Sequence, residues 1–435
     1  MGLKSLLSAD NLLKRVRAGF EQVKDHRAAN AVISLADVLM SSLAMFSLKD
    51  SSLLEFDGRR EKDDNLKRIY KLETVPSDSQ MRTILDEVSP EAAIRPIFKD
   101  ALEQLESSEV LSEMVYFEGY YLLTLDGTGY FSSKKVHCET CLEKKNRKTG
   151  QITYSHQLLG GAIVHPDFKE VIPLMPEAII KQDGATKNDC ERNAAKRFLL
   201  RLRQDHPDLG LIITEDGLSS NAPHLKALKA GNFRWILGVK EGDHAYLFNY
   251  VNTAHEAGQT SVHEERAGKI IHRYRFINQV PLNESNQDVL VNFLEYWEIK
   301  GDKVRHFSWI TDFTLTKWNV GQIMKGGRAR WKIENETFNT LKNQGYHFEH
   351  NYGHGKKNLS VNFAALMMLA FLIDQIQQRT YSLFQAVLKK QGSRKRLWEH
   401  IRALIYTLSF SSMEQIYRAL LYGYNVENVT ILGPS

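Results

Sequence analysis

The spacing of apolar residues divides the 435-residue chain into helical and strand-forming stretches. Apolar residues recur every three or four positions up to about residue 118, and again from Asn319 to about residue 423, which predicts helices. Between 119 and 240, short apolar runs alternate with amphipathic stretches, which indicates a mixed α/β unit. Between 241 and 312, aromatic and β-branched residues alternate with charged ones, which predicts a β-rich block without a clear helix.

Five strands and two helices are predicted within the α/β unit. The strands are expected over residues 120–127, 152–165, 169–179, 209–217 and 232–240. The helices are expected in the segments KNDCERNAAKRFLLRLRQ and APHLKALKA. In the first of them, the acidic Asp189 and Glu191 near the start and the arginines near the end suit the helix dipole.

The changes of pattern predict five regions in an α/β protein. They are a helical N-terminal region over 1–118, a first part of the core over 119–240, a β-rich insertion over 241–312, a second part of the core over 313–380, and a helical C-terminal region over 381–435. The longest apolar run, Phe363 to Ile373, is shorter than the roughly 20 residues of a membrane-spanning helix, so it is expected to be a buried core helix.

The composition excludes several classes of protein. A hydrophobic content of 43% and a charged content of 25% argue against a disordered or fibrous chain, and three cysteines argue against a disulfide scaffold. The net charge of +5 permits a nucleic-acid partner only if basic residues are segregated on one surface. The N-terminus lacks the uninterrupted apolar stretch of a signal peptide, so a soluble, cytoplasmic protein is expected.

Two of the predicted strands end in a similar motif, Thr-Leu-Asp-Gly at 124–127 and Thr-Glu-Asp-Gly at 214–217. A carboxylate at the end of a buried strand needs solvent, a partner or a metal ion. Asp126 and Asp216 on neighbouring strands would repel each other, and a divalent cation between them would remove that repulsion. Each aspartate alone could also simply open a turn, because Asp-Gly is a common turn dipeptide.

A third carboxylate, Glu334, lies in the predicted helix RARWKIENETFNTLK. Counting 100° per residue places Glu334 on the same face as Phe338 and Leu341, which is an apolar face. A glutamate on a buried face needs a partner. Arg330, one turn earlier, could be that partner, but in combination with the two aspartates a metal site is favoured.

The order of Asp126, Asp216 and Glu334 along these elements resembles the ribonuclease-H-like catalytic core of DDE transposases. The β-rich block between the second aspartate and the glutamate makes the chain more similar to bacterial insertion-sequence transposases that have an insertion at this point. The resemblance covers roughly residues 120 to 350. It implies a ribonuclease-H-like mixed sheet with flanking helices.

Those transposases have a signature of Tyr, two residues, Arg, three residues, Glu, six residues and Lys. Arg330 and Glu334 match its Arg and Glu. Gly327 stands at the Tyr position, and Lys342 comes one residue after the Lys position, where Leu341 stands.

The resemblance implies that Asp126, Asp216 and Glu334 hold two Mg²⁺ ions, for which Mn²⁺ may substitute. The activity implied is strand cleavage at the ends of an insertion sequence and transfer of the 3′-hydroxyl to target DNA. The partners implied are double-stranded DNA, as terminal inverted repeats and as target, and a second copy of the chain on paired ends. A ribonuclease-H-like nuclease without strand transfer and a domesticated DNA-binding protein remain as alternatives.

Further residues are candidates for DNA binding. Arg330, Lys342 and Arg328 would contact phosphate. Trp297 of the β-rich block, like Trp309 and Trp318, could stack on an unpaired base, or these side chains could form the small core of the insertion. The N-terminal helices are candidates for recognising the inverted repeats, although they contain no identifiable helix-turn-helix.

A Cys-x₂-Cys knuckle, Cys138 and Cys141, lies in a loop rich in lysine and arginine over residues 134–148. His156 and Cys190 could approach the knuckle and complete a structural Zn²⁺ site, which needs four ligands. Because only one knuckle is present, a pair of thiols on a basic loop is the favoured interpretation. The loop itself could contact DNA or be a solvated face.

Overall fold

The structure, a computed structural model, describes residues 7–60, 64–181 and 189–424. It forms two compact units. One contains Met1–Asp100 and Thr340–Ser435, and the other contains Ala101–Asn339. The predicted N-terminal and C-terminal helical regions therefore contribute to the same unit, which we call the helical unit, and the second is called the sheet unit.

The bounds of the elements are as follows. The helices are α1 (Ala9–Glu21), α2 (Leu35–Ser47), α3 (Leu53–Arg59), α4 (Asp64–Tyr70), α5 (Asp78–Asp86), α6 (Pro90–Ala93), α7 (Arg95–Ser107), α8 (Glu191–Asp205), α9 (Ala222–Ala230), α10 (Ala245–Glu256), α11 (Val320–Arg328), α12 (Asn339–Asn343), α13 (Leu359–Thr380), α14 (Ser382–Gln391), α15 (Arg394–Thr407) and α16 (Met413–Tyr422). The strands are β1 (Val115–Phe117), β2 (Tyr120–Ser133), β3 (Leu142–Lys145), β4 (Ile152–Val164), β5 (Ile172–Pro173), β6 (Glu177–Ile179), β7 (Leu211–Glu215), β8 (Arg234–Gly238), β9 (Ser261–Ala267), β10 (Ile270–Asn283), β11 (Asn286–Lys300) and β12 (Lys303–Thr311).

Local sequence explains where helices of the helical unit begin. The hydroxyls of Ser34, Ser52 and Ser77 accept hydrogen bonds from backbone N–H groups three residues later, at the starts of α2, α3 and α5. At α5 the Gln80 side chain also accepts from the Ser77 backbone N–H, which completes a capping box. These caps satisfy backbone groups that the helices leave unbonded.

Helix α13 is the central core helix of the helical unit and packs against α2. It is long and apolar enough to cross a bilayer, but 94% of its most apolar 18-residue window is buried inside the protein. The prediction of a core helix around Phe363–Ile373 is therefore confirmed. The compartment stays a prediction.

Within the described residues, the sheet unit is built on a mixed twelve-stranded sheet in the order β3-β4-β2-β7-β8-β12-β11-β10-β9, with β1 paired to β2 and with β5 and β6 paired to β4. Strands β2, β7 and β8 are parallel, and the remaining pairings are antiparallel. The predicted α/β class is confirmed. The strands of the β-rich block extend the same sheet, because Trp309 of β12 pairs with Gly238 of β8.

Three predictions about these elements were wrong. The β-rich block begins with helix α10, whose buried Leu247, Phe248, Val251 and Ala254 have helical spacing among strand-favouring neighbours. The strand expected over 169–179 is two short strands, β5 and β6. Strand β2 does not stop at Asp126 but continues to Ser133. Of the helix predicted over residues 187–204, residues 187 and 188 lie outside the described residues, and α8 covers the part from Glu191 onward.

Candidate active site

Strand register brings Asp126 and Asp216 to the same level of the sheet. The parallel strands β2 and β7 pair Thr124 with Thr214, and this is the last pair in their ladder. Each aspartate follows two residues later, and neighbouring strands lie about 4.8 Å apart. Both aspartates line one cavity of about 430 Å³. The paired motifs seen in the sequence are therefore adjacent in space.

Backbone N–H groups hold both carboxylates. Oδ1 of Asp126 accepts from the N–H of Gly127 at 2.9 Å, and Oδ1 of Asp216 accepts from the N–H of Leu218 at 3.0 Å. Asp216 follows the end of β7 and begins a short 3₁₀ turn, whereas Asp126 lies inside β2. The turn interpretation is thus correct for Asp216 as a local description, and it does not apply to Asp126.

Arg330 connects Asp126 with Glu334. Its Nη1 lies 3.2 Å from Oδ2 of Asp126, and its Nη2 lies 2.6 Å from Oε1 of Glu334. The hydroxyl of Thr124 donates to the carbonyl oxygen of Arg330 at 3.1 Å, which fixes this residue over β2. One guanidinium therefore contacts two carboxylates. Burial lowers the pKa of Arg330, but the negative charges of Glu334, Asp126 and Asp216 outweigh this effect and raise the pKa above its usual value.

Crowding of negative charge is visible at Asp126. Burial raises the pKa of Asp126 to about 7, Arg330 opposes this shift, and Glu334 adds to it by charge repulsion and hydrogen bonding. A divalent cation would favour the ionised form of this carboxyl group at neutral pH more strongly than a guanidinium that is shared with Glu334. This electrostatic situation fits the binding of divalent cations, which replace protons on crowded carboxylates.

The argument from the sequence that Glu334 lies on a buried face was wrong. The Glu334 side chain is 48% exposed, Trp331 is 46% exposed, and Lys332 is buried and donates to the carbonyl oxygen of Phe168 at 2.6 Å. The reason is that residues 333–338 form a π-helical segment after a break at 329–330. In a π-helix the hydrogen bonds run from i to i+5, so a count of 100° per residue no longer holds. The expected pairing with Arg330 is present.

A fourth carboxylate, Glu191, lies beside the two aspartates and was not predicted as a site residue. It begins α8 and lines the same cavity of about 430 Å³. Burial, followed by repulsion from Asp216 and Glu215, raises the pKa of Glu191. A Cβ atom at Gly127 would lie 2.1 Å from Oε1 of Glu191, so this glycine makes room for the glutamate.

A second cavity, of about 590 Å³, adjoins the carboxylates on the side of the β-rich block. Asp216, Arg328, Arg330 and Trp331 line it, together with residues 306–309 of β12. Nη1 of Arg328 lies 2.8 Å from Oε2 of Glu298. This arginine, predicted to contact phosphate, is therefore ion-paired with a glutamate of the β-rich block.

Trp297 and Trp309 of the β-rich block, and Trp318 just after it, differ in their surroundings. Trp297 stacks on His306 with ring centroids 5.0 Å apart, and His306 lines the second cavity. Trp309 is buried, lines the second cavity and packs against Gly327 of α11, and Trp318 is 81% exposed. Trp297 is therefore held near the cavity by its neighbour, and the structure does not place it in the cavity wall.

Lys342 belongs to the helical unit, on α12, where its Nζ lies 3.0 Å from Oε1 of Glu349. Its role in phosphate binding stays a prediction. In the knuckle, His156 approaches Cys138 and Cys141, whereas Cys190 is exposed at the start of α8. The lysines and arginines of the loop over 134–148 are exposed.

The departure from the signature at Gly327 has a packing cause. A Cβ atom there would lie 2.3 Å from Nε1 of Trp309, which is buried. We expect Gly327→Ala to destabilise the sheet unit by about 1–3 kcal/mol, because the indole or α11 must move. Gly321→Ala on the same helix is the matched control, since its Cβ would meet only Oη of Tyr274, at 3.7 Å. Thermal unfolding of both variants tests this, and equal melting temperatures would contradict it.

The comparisons with known proteins do not identify a family. Neither a scan of the chain against models of protein families nor a search of curated proteins finds a match.

Proposed function

We propose that the chain is a DDE transposase that catalyses metal-dependent DNA strand cleavage and strand transfer at the ends of an insertion sequence. The observation that carries the proposal is the alignment of Asp126 and Asp216 by the β2–β7 register, with Glu334 joined to Asp126 through Arg330. The mixed sheet with a parallel centre supports a ribonuclease-H-like core, which the sequence resemblance implies.

Asp126, Asp216 and Glu334 would hold two Mg²⁺ ions, and Glu191 is close enough to the aspartates to take part. The bound metal would supply activation of a water or a 3′-hydroxyl and stabilisation of the leaving oxygen. Carboxylate oxygens are the ligands that Mg²⁺ prefers. The pKa values of Asp126 and Glu191 are raised mainly by burial and further by repulsion from neighbouring carboxylates, and a bound cation would compensate both effects.

Arg330 and Arg328 would bind the DNA backbone beside the carboxylates. The planar guanidinium of Arg330 is now shared between two carboxylates, and once their charge is compensated it can donate two parallel hydrogen bonds to a phosphate. The second cavity, lined by Arg328, Arg330 and Trp331, offers both charge and an aromatic surface to a nucleotide at the strand end. The exposed basic residues over 134–148 would add phosphate contacts.

The partners of the proposed enzyme are the terminal inverted repeats and the target DNA, and we expect a homodimer on paired ends in the bacterial cytoplasm, associated with the nucleoid. Short inverted repeats should bracket the gene, and these supply the DNA for the experiment.

The test is a strand-transfer assay with the full chain and a pre-cleaved repeat end. We expect joined products with Mg²⁺ or Mn²⁺ and none in excess chelator. The matched control is the same end with a 3′-dideoxy nucleotide, which cannot act as nucleophile. Metal-dependent nicking without a joined product would favour the nuclease, and binding without nicking would favour a domesticated DNA-binding protein.

A further inference from the structure

Away from the carboxylates, the sheet unit contains a cluster of two cysteines and a histidine. The Sγ atoms of Cys138 and Cys141 are 3.6 Å apart, and Nε2 of His156 lies 3.2 Å from the first and 3.3 Å from the second. The sulfur–sulfur separation is far longer than a disulfide bond of about 2.05 Å. Three atoms of the kinds that bind zinc thus form a compact triangle.

The dimensions of the triangle fit one face of a zinc tetrahedron. Zn–S bonds of about 2.3 Å and Zn–N bonds of about 2.0 Å imply separations of roughly 3.8 Å between two sulfurs and roughly 3.6 Å between sulfur and nitrogen. The three measured separations, 3.6, 3.2 and 3.3 Å, are each shorter than these by about 0.4 Å or less. Only a small expansion of the cluster is needed to admit the ion.

The fold holds these ligands in place before any ion binds. Cys141 directly precedes β3, and Leu142 of β3 pairs with Ser155 of β4, next to His156. The Cys138 backbone N–H donates to Sγ of Cys141 at 3.4 Å, which closes the knuckle. Cys141 and His156 are buried, and Tyr130 stacks on the imidazole with ring centroids 5.7 Å apart.

We propose that Cys138, Cys141 and His156 bind a structural Zn²⁺ ion, with one further ligand completing the tetrahedron. The ion would fasten the knuckle to β4 and so fix the base of the exposed basic loop over 134–148. The proposal does not depend on the function of the carboxylates. It reverses the interpretation from sequence, which favoured a pair of thiols because only one knuckle is present. The pairing of β3 with β4 brings His156 to that knuckle, and the spacing of the cysteines does not show this pairing.

The first experiment is elemental analysis of the full chain purified without added metal. We expect about one zinc per chain, and a loss of most of it in Cys138→Ser, Cys141→Ser and His156→Gln. The matched controls are Cys190→Ser, at the exposed third cysteine, and His137→Gln, at an exposed histidine that stacks on Tyr154. Zinc-free protein from zinc-supplemented cells, or full zinc content in the Cys138→Ser/Cys141→Ser double variant, would overturn the proposal.

A second experiment needs no variant and therefore remains valid where substitutions prevent folding. With zinc bound, a thiol reagent should react rapidly with one of the three cysteines, Cys190, and after removal of zinc by a chelator it should react with all three. X-ray absorption of the untreated protein should show two sulfur neighbours at about 2.3 Å and nitrogen at about 2.0 Å. A disulfide between Cys138 and Cys141, or an absorption spectrum without sulfur neighbours, would count against the site.

Discussion

In the proposed transposase, Asp126→Asn should lower the rates of strand cleavage and strand transfer by about a thousandfold or more, while binding of the repeat ends stays within a few-fold of the wild type. The amide keeps the size of the carboxyl group and can still accept from Arg330, but it has no negative charge with which to bind Mg²⁺. A loss of about 4 kcal/mol of transition-state stabilisation corresponds to this factor. The measurement is excision from a supercoiled plasmid, with end binding followed separately.

Loss of folding is not the expected cause of that defect. Burial disfavours the charged form of Asp126, and the charge of Glu334 repels it. A neutral amide removes both of these unfavourable effects. The melting temperature of Asp126→Asn without metal should therefore equal or exceed that of the wild type. Full excision activity of the variant would refute the assignment of Asp126.

A matched pair of variants on the π-helical segment tests Glu334 in the same assay. Glu334→Gln should be as inactive as Asp126→Asn, because the glutamate meets Arg330 at the carboxylate cluster. Glu336→Gln, two residues later on the same segment, should retain nearly full activity, since Glu336 interacts electrostatically with Lys332 instead. Equal activities of the two variants would show that Glu334 has no special role.

The sequence predicted the aspartates of the site better than the glutamate. Asp126 and Asp216 follow two threonines that pair in the sheet, so a repeated local motif was enough to place them together. Glu334 was predicted from a count of 100° per residue, which fails in a π-helical segment. Its side chain reaches Arg330 from an exposed position. Its partner Arg330 was predicted because a spacing of four residues brings side chains together even where the helix is irregular.

Long-range pairing explains most of what the sequence did not reveal. Glu191 comes to the aspartates because α8 begins beside Gly127, and nothing in the local pattern distinguishes it from an acidic residue favoured by the helix dipole. Helix α10 was read as strand because its tyrosines, phenylalanine and valine favour strands. The prediction of separate N-terminal and C-terminal helical regions could not show that both belong to one compact unit, since packing between them is not encoded in either pattern.

The helical unit contains a buried ion pair whose disruption should strongly lower its stability. Nζ of Lys49 lies 2.7 Å from Oδ2 of Asp374, and both side chains are almost fully buried. The Tyr346 hydroxyl donates to the same carboxylate oxygen, and the ammonium group lies 4.0 Å from the ring centroid of Trp398. Burial lowers the pKa of Lys49 to about 8, and the attraction of Asp374 opposes this shift. Each charge therefore stabilises the ionised form of the other group.

Lys49→Met should destabilise the helical unit by about 3–5 kcal/mol, because it leaves the buried Asp374 carboxylate without its cation. Lys49→Met/Asp374→Asn should recover most of that loss, since no charge remains and the amide oxygen still accepts from Tyr346. Hydrogen exchange of peptides from α2 and α13 measures the change within this unit alone. Arg15→Met is the control, since the Arg15–Asp100 pair is about 40% exposed and should contribute at most about 1 kcal/mol. If Lys49→Met proved no more destabilising than Arg15→Met, the buried ion pair would contribute no more to stability than an exposed one. That result would contradict the prediction.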